Sequence, residues 1–395
     1  MRNALLLVAM LLLPLQWMML RGSAATLSDP TVAVLAGIAI FGAAFLLSWA
    51  AELAQLEISQ TLAIAALALI AVLPEYAVDI YFAYRGGQDP VYASFATANM
   101  TGANRLLIGI GWSGVVLLGW LRFGSRAVVL PAAMRVEVRY LALATLYALT
   151  IPMRGRLSIV DTVIFLVIFA FYVRAGARAE VVEPELEGVA KRIAALRTPQ
   201  RRAVTLFLFV YAAAAILMAA EPFAESLLAT GRHLGVEEFI LVQWVAPLVS
   251  EAPELIVALL FVMRGNSAAG MGTLLSSKVN QWTLLVGMIP AAYSLSAGHL
   301  VGMPLDARQV EEILLTAAQS LFAVAILVTL EFTVLEAMVL LLLFVPQPFF
   351  TSPASRYGYA LVYGIGFVVG LARSGATRSA FVRLLGAGGE TSRTV

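Results

Sequence analysis

The chain has 395 residues, of which 61% are hydrophobic and only 13% charged, and its 26 Lys and Arg against 24 Asp and Glu leave a formal net charge of +2. Mean hydropathy is +0.90. So little charge excludes an ordinary soluble domain, so balanced a charge gives no sign of a nucleic-acid surface, and the absence of cysteine excludes disulfides, thiolate metal sites and cysteine nucleophiles.

Apolar runs of roughly 18 or more residues read as membrane helices, and the length leaves room for about ten to twelve of them. In chain order the predicted spans are 4–20, 31–50, 61–84, 91–121, 138–152, 157–174, 203–220, 236–263, 268–296, 309–330, 332–348 and 355–372. The stretch 309–348 is too long for one crossing and is divided at Glu331. The first segment stays open between an extra helix and a signal peptide, because Arg2, the apolar run Ala4 to Leu20 and Ser23-Ala24-Ala25 fit both. Residues 175–202 are the sizeable polar stretch and read as a solvated, partly helical linker. The two histidines, His233 and His299, fall near span ends and read as loop residues.

These segments define an organisation. Residues 1–30 are the N-terminal helix or signal-like segment, 31–174 a first repeat, 175–202 a cytoplasmic linker, 203–350 a second repeat, and 351–395 a further helix with a basic tail. Short loops rich in Lys and Arg stay cytoplasmic. Arg122, Arg126, Arg135 and Arg139, both ends of the linker, and Arg373, Arg378, Arg383 and Arg393 then share the cytoplasmic side with the N-terminus. Arg154 and Arg156 run against that bias. With this orientation the helix of Glu75 runs outward and that of Glu254 inward.

The repeats are visible in a motif that occurs twice. Pro74-Glu75, Phe82 and Arg85-Gly86 recur at one constant offset as Pro253-Glu254, Phe261 and Arg264-Gly265. A carboxylate at the bilayer centre costs about 2.5–3.5 kcal/mol. Two of them in matching halves point to a paired ion site where interrupted helices meet. Proline removes an amide donor and clashes with the carbonyl four residues earlier, so each motif predicts a kink with freed carbonyl oxygens. Glu75 and Asp79, four apart, share a helical face, as do Glu251 and Glu254, three apart. Asp79 is open between a second ligand and a hydrated interfacial charge near Arg85. Ser250 adds a hydroxyl, and Pro247 predicts a further distortion of the second copy. Hard cations take oxygen ligands, about six to eight of them for Ca²⁺, and carboxylates, carbonyls and Ser or Asn side chains together supply such a set.

The span after each motif is unusually polar. Asn99, Thr101 and Asn104 interrupt the first, and Ser276, Ser277, Asn280 and Gln281 the second, before the related runs Leu106-Leu107-Ile108-Gly109 and Leu284-Leu285-Val286-Gly287. Such groups either glue helices together or line the cavity of the Pro-Glu motifs. Arg105 and Lys278 place fixed cations in these helices. The expectation is that they pair with Asp79 or Glu251 and occupy a cation position.

Taken together, Pro-Glu on a kinked helix, an Asn-containing next helix and the inverted duplication resemble the cation/Ca²⁺ exchanger superfamily. The resemblance covers residues 61–115 and 236–292 by motif and the rest by helix number and symmetry. It implies an all-α polytopic membrane fold of two inverted-topology repeats and cation binding near the midplane by Glu75 and Glu254. It adds Ser277 and Gln281 in the second repeat and Asn99 or Asn104 in the first. The family pattern Gly-Thr-Ser before Pro-Glu is Ala71-Val72-Leu73 in one copy and Val249-Ser250-Glu251 in the other, and Lys278 stands at an asparagine position. These departures bear on which ion is carried rather than on the fold.

The predicted function is therefore a secondary cation antiporter, moving Ca²⁺ or another cation against Na⁺ or H⁺ by alternating access. Its alternative is a transport-inactive scaffold or sensor of the same fold. No cofactor is expected beyond the transported cations (Ca²⁺, Na⁺ or H⁺). The partners are inorganic cations and membrane lipid rather than nucleic acid, in a multi-pass protein of a prokaryotic-type plasma membrane. No paired-aspartate prenyl-diphosphate motif, Gly-x-Gly-Asp, His-Glu-x-x-His or Ser-His pair is present, so nothing supports an intramembrane enzyme.

Overall fold

The computed structural model describes residues 2–54, 56, 73–177, 186, 188–372 and 375–386. Its helices are α1 (Arg2–Leu20), α2 (Asp29–Ala54), α3 (Leu73–Gly86), α4 (Pro90–Leu106), α5 (Ser113–Phe123), α6 (Arg135–Ala148), α7 (Thr150–Arg154), α8 (Ile159–Gly176), α9 (Gly188–Ala194), α10 (Thr198–Leu234), α11 (Glu238–Met263), α12 (Ser267–Asn280), α13 (Val286–Ala297), α14 (Ala307–Leu327), α15 (Val334–Phe344), α16 (Pro353–Ala372) and α17 (Gly375–Leu385). Every predicted apolar segment carries a helix, although residues 57–72 of the third lie outside the described residues. Among the described residues eight helices are long and apolar enough to cross a membrane, or nine if α16 and the helix after it form one bent span. The protein is an all-α, multi-pass integral membrane protein.

The chain divides into two compact units, and each draws on both halves of the sequence. The first comprises Met1–Asn99 with Val173–Glu254, and the second Met100–Tyr172 with Leu255–Val395.

In the first unit α2 packs along α10. Ala36, Ala39 and Ala43 on α2, and Ala212, Ala215 and Ala219 on α10, are fully buried at helical spacing. Small residues let helix backbones approach closely in lipid, where no hydrophobic drive separates helix from acyl chain. Helix α1 joins this pair: Trp17 is buried and donates to the Met218 carbonyl at 3.2 Å, Tyr211 donates to the Leu11 carbonyl at 2.8 Å, and a Cβ on Gly42 would stand 2.7 Å from that of Leu13. In this chain the first segment forms a helix packed on α2 and α10. The polar stretch 175–202 is partly helical, and the α9 residues Val189, Ala190 and Ile193 are buried.

The tail of the first motif copy makes a corner. Phe82 is buried against Phe95 and Tyr92, with ring centroids 5.7 and 6.3 Å away. Gly86 admits the next helix, since a Cβ there would stand 2.9 Å from the Ala93 amide nitrogen. Asp89 Oδ1 then accepts from the Val91 amide, and Pro90 opens α4, where a missing donor costs nothing. Tyr81 and Tyr92 both donate to Glu225 Oε1, at 2.6 and 2.7 Å, and so bind this corner to α10.

In the second unit the other motif copy ends in a similar corner: Gly265 has φ 86°, and Asn266 caps α12 by accepting from Ala269 at 3.0 Å. Two π-helical segments interrupt the polar spans. Leu107–Trp112 lies between α4 and α5, and Gln281–Leu285 between α12 and α13. They fall on or beside the related Leu-rich runs, so the duplication reaches down to a local widening of the helix. Two short antiparallel ladders tie loops of the two sequence halves together. Strand β1 (Ala127–Val129) pairs with β4 (Glu331–Thr333), and β2 (Arg156–Leu157) with β3 (Met303–Pro304). The division at Glu331 is therefore a real break. Leu330 takes a positive φ of 60°, and its carbonyl accepts from the Leu130 amide at 2.7 Å. Arg154, the charge that ran against the loop bias, is neutralised by Asp161 at 2.5 Å.

Candidate functional site

The predicted ligands fall into two groups. Glu75, Asp79, Asn99, Ser250, Glu251 and Glu254 belong to the first unit, and Asn104, Arg105, Ser277, Lys278, Asn280 and Gln281 to the second. The two motif glutamates therefore share one unit.

Within the first unit Glu75, Asp79, Asn99, Ser250 and Glu251 are buried, and Glu254 is half-buried. Asp79 is not a hydrated interfacial charge: it is fully buried, and Asn99 Nδ2 donates to its Oδ1 at 3.0 Å. That bond turns the amide so that Asn99 Oδ1 and Asp79 Oδ2 are left as buried acceptors with no hydrogen-bond partner among the described residues. A buried acceptor without a donor costs about 1–3 kcal/mol, more when charged, and a cation removes that cost. Among the described residues no three acidic or histidine side chains gather as a ready-made metal cluster. The oxygens at hand are thus a carboxylate–amide pair with Glu75 and Glu251 buried in the same unit, rather than a ring of four carboxylates.

Helix α11 differs from the expected broken segment by running on through Pro247 and Pro253. Each proline still removes an amide, so the carbonyls of Gln243 and Val249 lose their helical donors. The Ser250 hydroxyl points back into the same stretch, donating to the Ala246 carbonyl at 3.2 Å. The kink predicted before Pro74 lies outside the described residues.

In the second unit the two cations, Arg105 and Lys278, have hydrogen-bonding partners within the unit. Arg105 Nη2 meets Glu312 Oε2 at 2.6 Å, and its Nη1 donates to Gln347 Oε1 at 3.1 Å. Arg356 extends the network, 2.7 Å from Glu311 and 3.7 Å from Glu312. Gln347 also donates to the Tyr363 hydroxyl at 3.0 Å. Two arginines and two glutamates so arranged balance their charges inside the fold. Lys278 Nζ donates to Asn104 Oδ1 at 2.7 Å and to the Asn104 carbonyl at 3.2 Å. Ser277, Asn280 and Gln281 are buried on the same chain segment.

Sequence reasoning missed Glu311, Glu312, Gln347, Arg356 and Tyr363. Glu311 and Arg356 lie close to the starts of their apolar runs and pass for interfacial charges. Their signal is the polar row Glu312, Thr316, Gln319 and Ser320, spaced for one face of α14 and buried throughout.

Comparison with known proteins agrees with this architecture. The family Sodium/calcium exchanger protein matches residues 30–175 and 204–350. A solved structure of an H⁺/Ca²⁺ exchanger, CAX, is 46% identical, with a TM-score of 0.93 over 97% of this chain and 97% of that one. The sodium-calcium exchanger NCX_Mj shares the fold at 16% identity and a TM-score of 0.53, over 80% of this chain and 97% of that one. The protein YfkE does so at 13% identity and 0.60, over 93% of this chain and 100% of that one. No curated protein sequence matches the chain significantly.

Proposed function

Because the chain belongs to the sodium/calcium exchanger protein family, whose members are secondary transporters and not enzymes, we propose that it carries Ca²⁺ against H⁺ by alternating access. The observation that carries this reading is the buried Asp79–Asn99 pair. It holds two buried oxygen acceptors that meet no hydrogen-bond donor among the described residues, in a unit that also buries Glu75 and Glu251. Oxygen donors bearing net negative charge suit a hard divalent cation. The same carboxylates hold protons in a low-dielectric site, which lets one set of residues take either cargo in turn. Ca²⁺ as cargo and H⁺ as counter-ion are further supported by the 46% identical relative being named an H⁺/Ca²⁺ exchanger.

The test is Ca²⁺ uptake into proteoliposomes driven by an imposed pH gradient or, separately, by a Na⁺ gradient. We expect uptake driven by protons and lost in Glu75→Gln and Glu254→Gln. Unchanged uptake in both variants rejects the assignment of the site. A protein that neither transports nor gains heat stability with any cation is the inactive scaffold instead.

A further inference from the structure

The short helix α17 belongs to the second unit and has no part in the carboxylate site. It has 11 residues, and its stretch Thr377–Leu385 is bent by 104° from α16. At about 1.5 Å per residue it reaches only about 16 Å, against the roughly 30 Å of a hydrocarbon core, so it cannot cross. A helix leaving a span at such an angle runs along the membrane surface. One face, with Ala380, Phe381 and Leu384, is partly covered: the Phe381 ring lies 5.6 Å from that of Phe367 on α16, and the helix packs on α6. The other face carries Arg378, Ser379, Val382 and Arg383, all exposed, Val382 at 63%. A bare valine among arginines suits the boundary between headgroups and acyl chains, where the apolar group dips inward and long cations stay level with the phosphates.

Further cations gather at the same end of the unit. Strand β1 precedes α6 and pairs with β4, which follows α14, so the start of α6 and the end of α14 are neighbours. A Cβ on Gly370, near the end of α16, would stand 3.4 Å from that of Ala325 near the end of α14, so α17 begins there too. Arg122 at the end of α5, Arg126 before β1 and Arg135 at the start of α6 are exposed, and Arg139 one turn on is half-buried. Among the described residues no carboxylate forms a salt bridge with any of these four, or with Arg378 and Arg383. The acids of that end are Glu137, Glu331 and Glu336, of which Glu336 is engaged in capping α15. We propose that the outer face of α17 and the arginines beside it bind the headgroups of anionic phospholipids in the cytoplasmic leaflet, the side on which Arg-rich loops stay. The headgroup phosphate offers the guanidinium forks paired oxygens, and the acyl chains cover Val382. Helix α17 then ties the ends of α6 and α16 to the membrane surface. The site involves no transported ion and is independent of the exchange reading.

The experiment follows the melting midpoint of the full chain in a neutral detergent as phosphatidylglycerol is added, against phosphatidylcholine with the same acyl chains. Phosphatidylglycerol raises the midpoint of the parent, as a ligand of the native state must, and salt weakens the rise. Phosphatidylcholine gives no comparable rise. One cation beside an anionic leaflet is worth about fivefold in affinity. Arg378→Gln and Arg383→Gln each need about fivefold more phosphatidylglycerol for the same rise, and the double variant about 25-fold, with unchanged midpoints in phosphatidylcholine. Arg156→Gln, at an exposed position on β2 at the opposite end, responds as the parent does. A double variant that responds like the parent overturns the proposal, as does an equal loss in Arg156→Gln or an equal rise with phosphatidylcholine. If the double variant does not fold, the two single variants decide in the same way. Inorganic phosphate that reproduces the rise points to a free anion, and polyglutamate that does so points to an acidic protein; either overturns the lipid assignment.

Discussion

Asn99 and Asp79 are joined by one hydrogen bond of 3.0 Å that uses one oxygen of the carboxylate and leaves the other, with the amide oxygen, without a donor among the described residues. The pair is polarised toward a cation. Asp79→Asn keeps the size and the bond to Asn99 but removes the charge. We expect it to fold and to lose Ca²⁺ affinity by at least about tenfold, some 1.4 kcal/mol, in isothermal titration. A wild-type affinity in this variant would remove Asp79 from the site.

Protons and Ca²⁺ compete for the same carboxylates in this reading. A protonated carboxylate is not a ligand, so affinity falls as pH falls. Each proton displaced changes the logarithm of the apparent Kd by about one per pH unit below the site's ionisation and by nothing above it. Titrations in buffers of different ionisation heat count the released protons directly. A Kd flat from mildly acid to alkaline pH would exclude proton competition.

The Arg105–Glu312 contact is a buried ion pair, with both side chains no more than 3% exposed. Removing one partner of such a pair strands the other charge, at a cost of about 3–5 kcal/mol. Glu312→Ala should therefore unfold at markedly lower temperature in detergent, whereas Arg105→Met with Glu312→Leu should recover much of the loss. Equal loss in the single and double variants would show that the pair does not act as a unit.

The corner after α3 makes a sharper test of packing. Gly86→Ala puts a methyl 2.9 Å from the Ala93 nitrogen, an overpacking that costs about 1–3 kcal/mol. Gly364→Ala, with nothing within 4 Å of the added carbon, should instead be neutral or stabilising by up to about 1 kcal/mol. Melting midpoints of the two variants in the same detergent compare them directly.

Most of the fold is legible because a membrane span announces itself by length and apolarity. The break at Glu331 was visible because 309–348 exceeds one crossing, and the structure puts β4 and the positive φ of Leu330 there. The candidate site was only partly legible. Glu75, Asp79 and Glu251 stand out because burying a carboxylate in lipid is costly, but which side chains Arg105 and Lys278 meet cannot be read from the periodicity of any one helix. Glu312 lies 207 positions from Arg105, and Asn104 lies 174 from Lys278. The Arg-Gly tail repeats with the motif but has a different task. In both copies it stops one helix before the next begins, a task that any duplicated hairpin requires.

The interleaving of the sequence halves has a practical consequence. Each compact body takes helices from either side of the polar stretch 175–202, and β1–β4 and β2–β3 bond main chain across that divide. Expressing one half by itself would leave its partners for those strands and helices unsynthesised. A gene cut at the linker should give fragments that are degraded separately yet reassemble when made in the same cell.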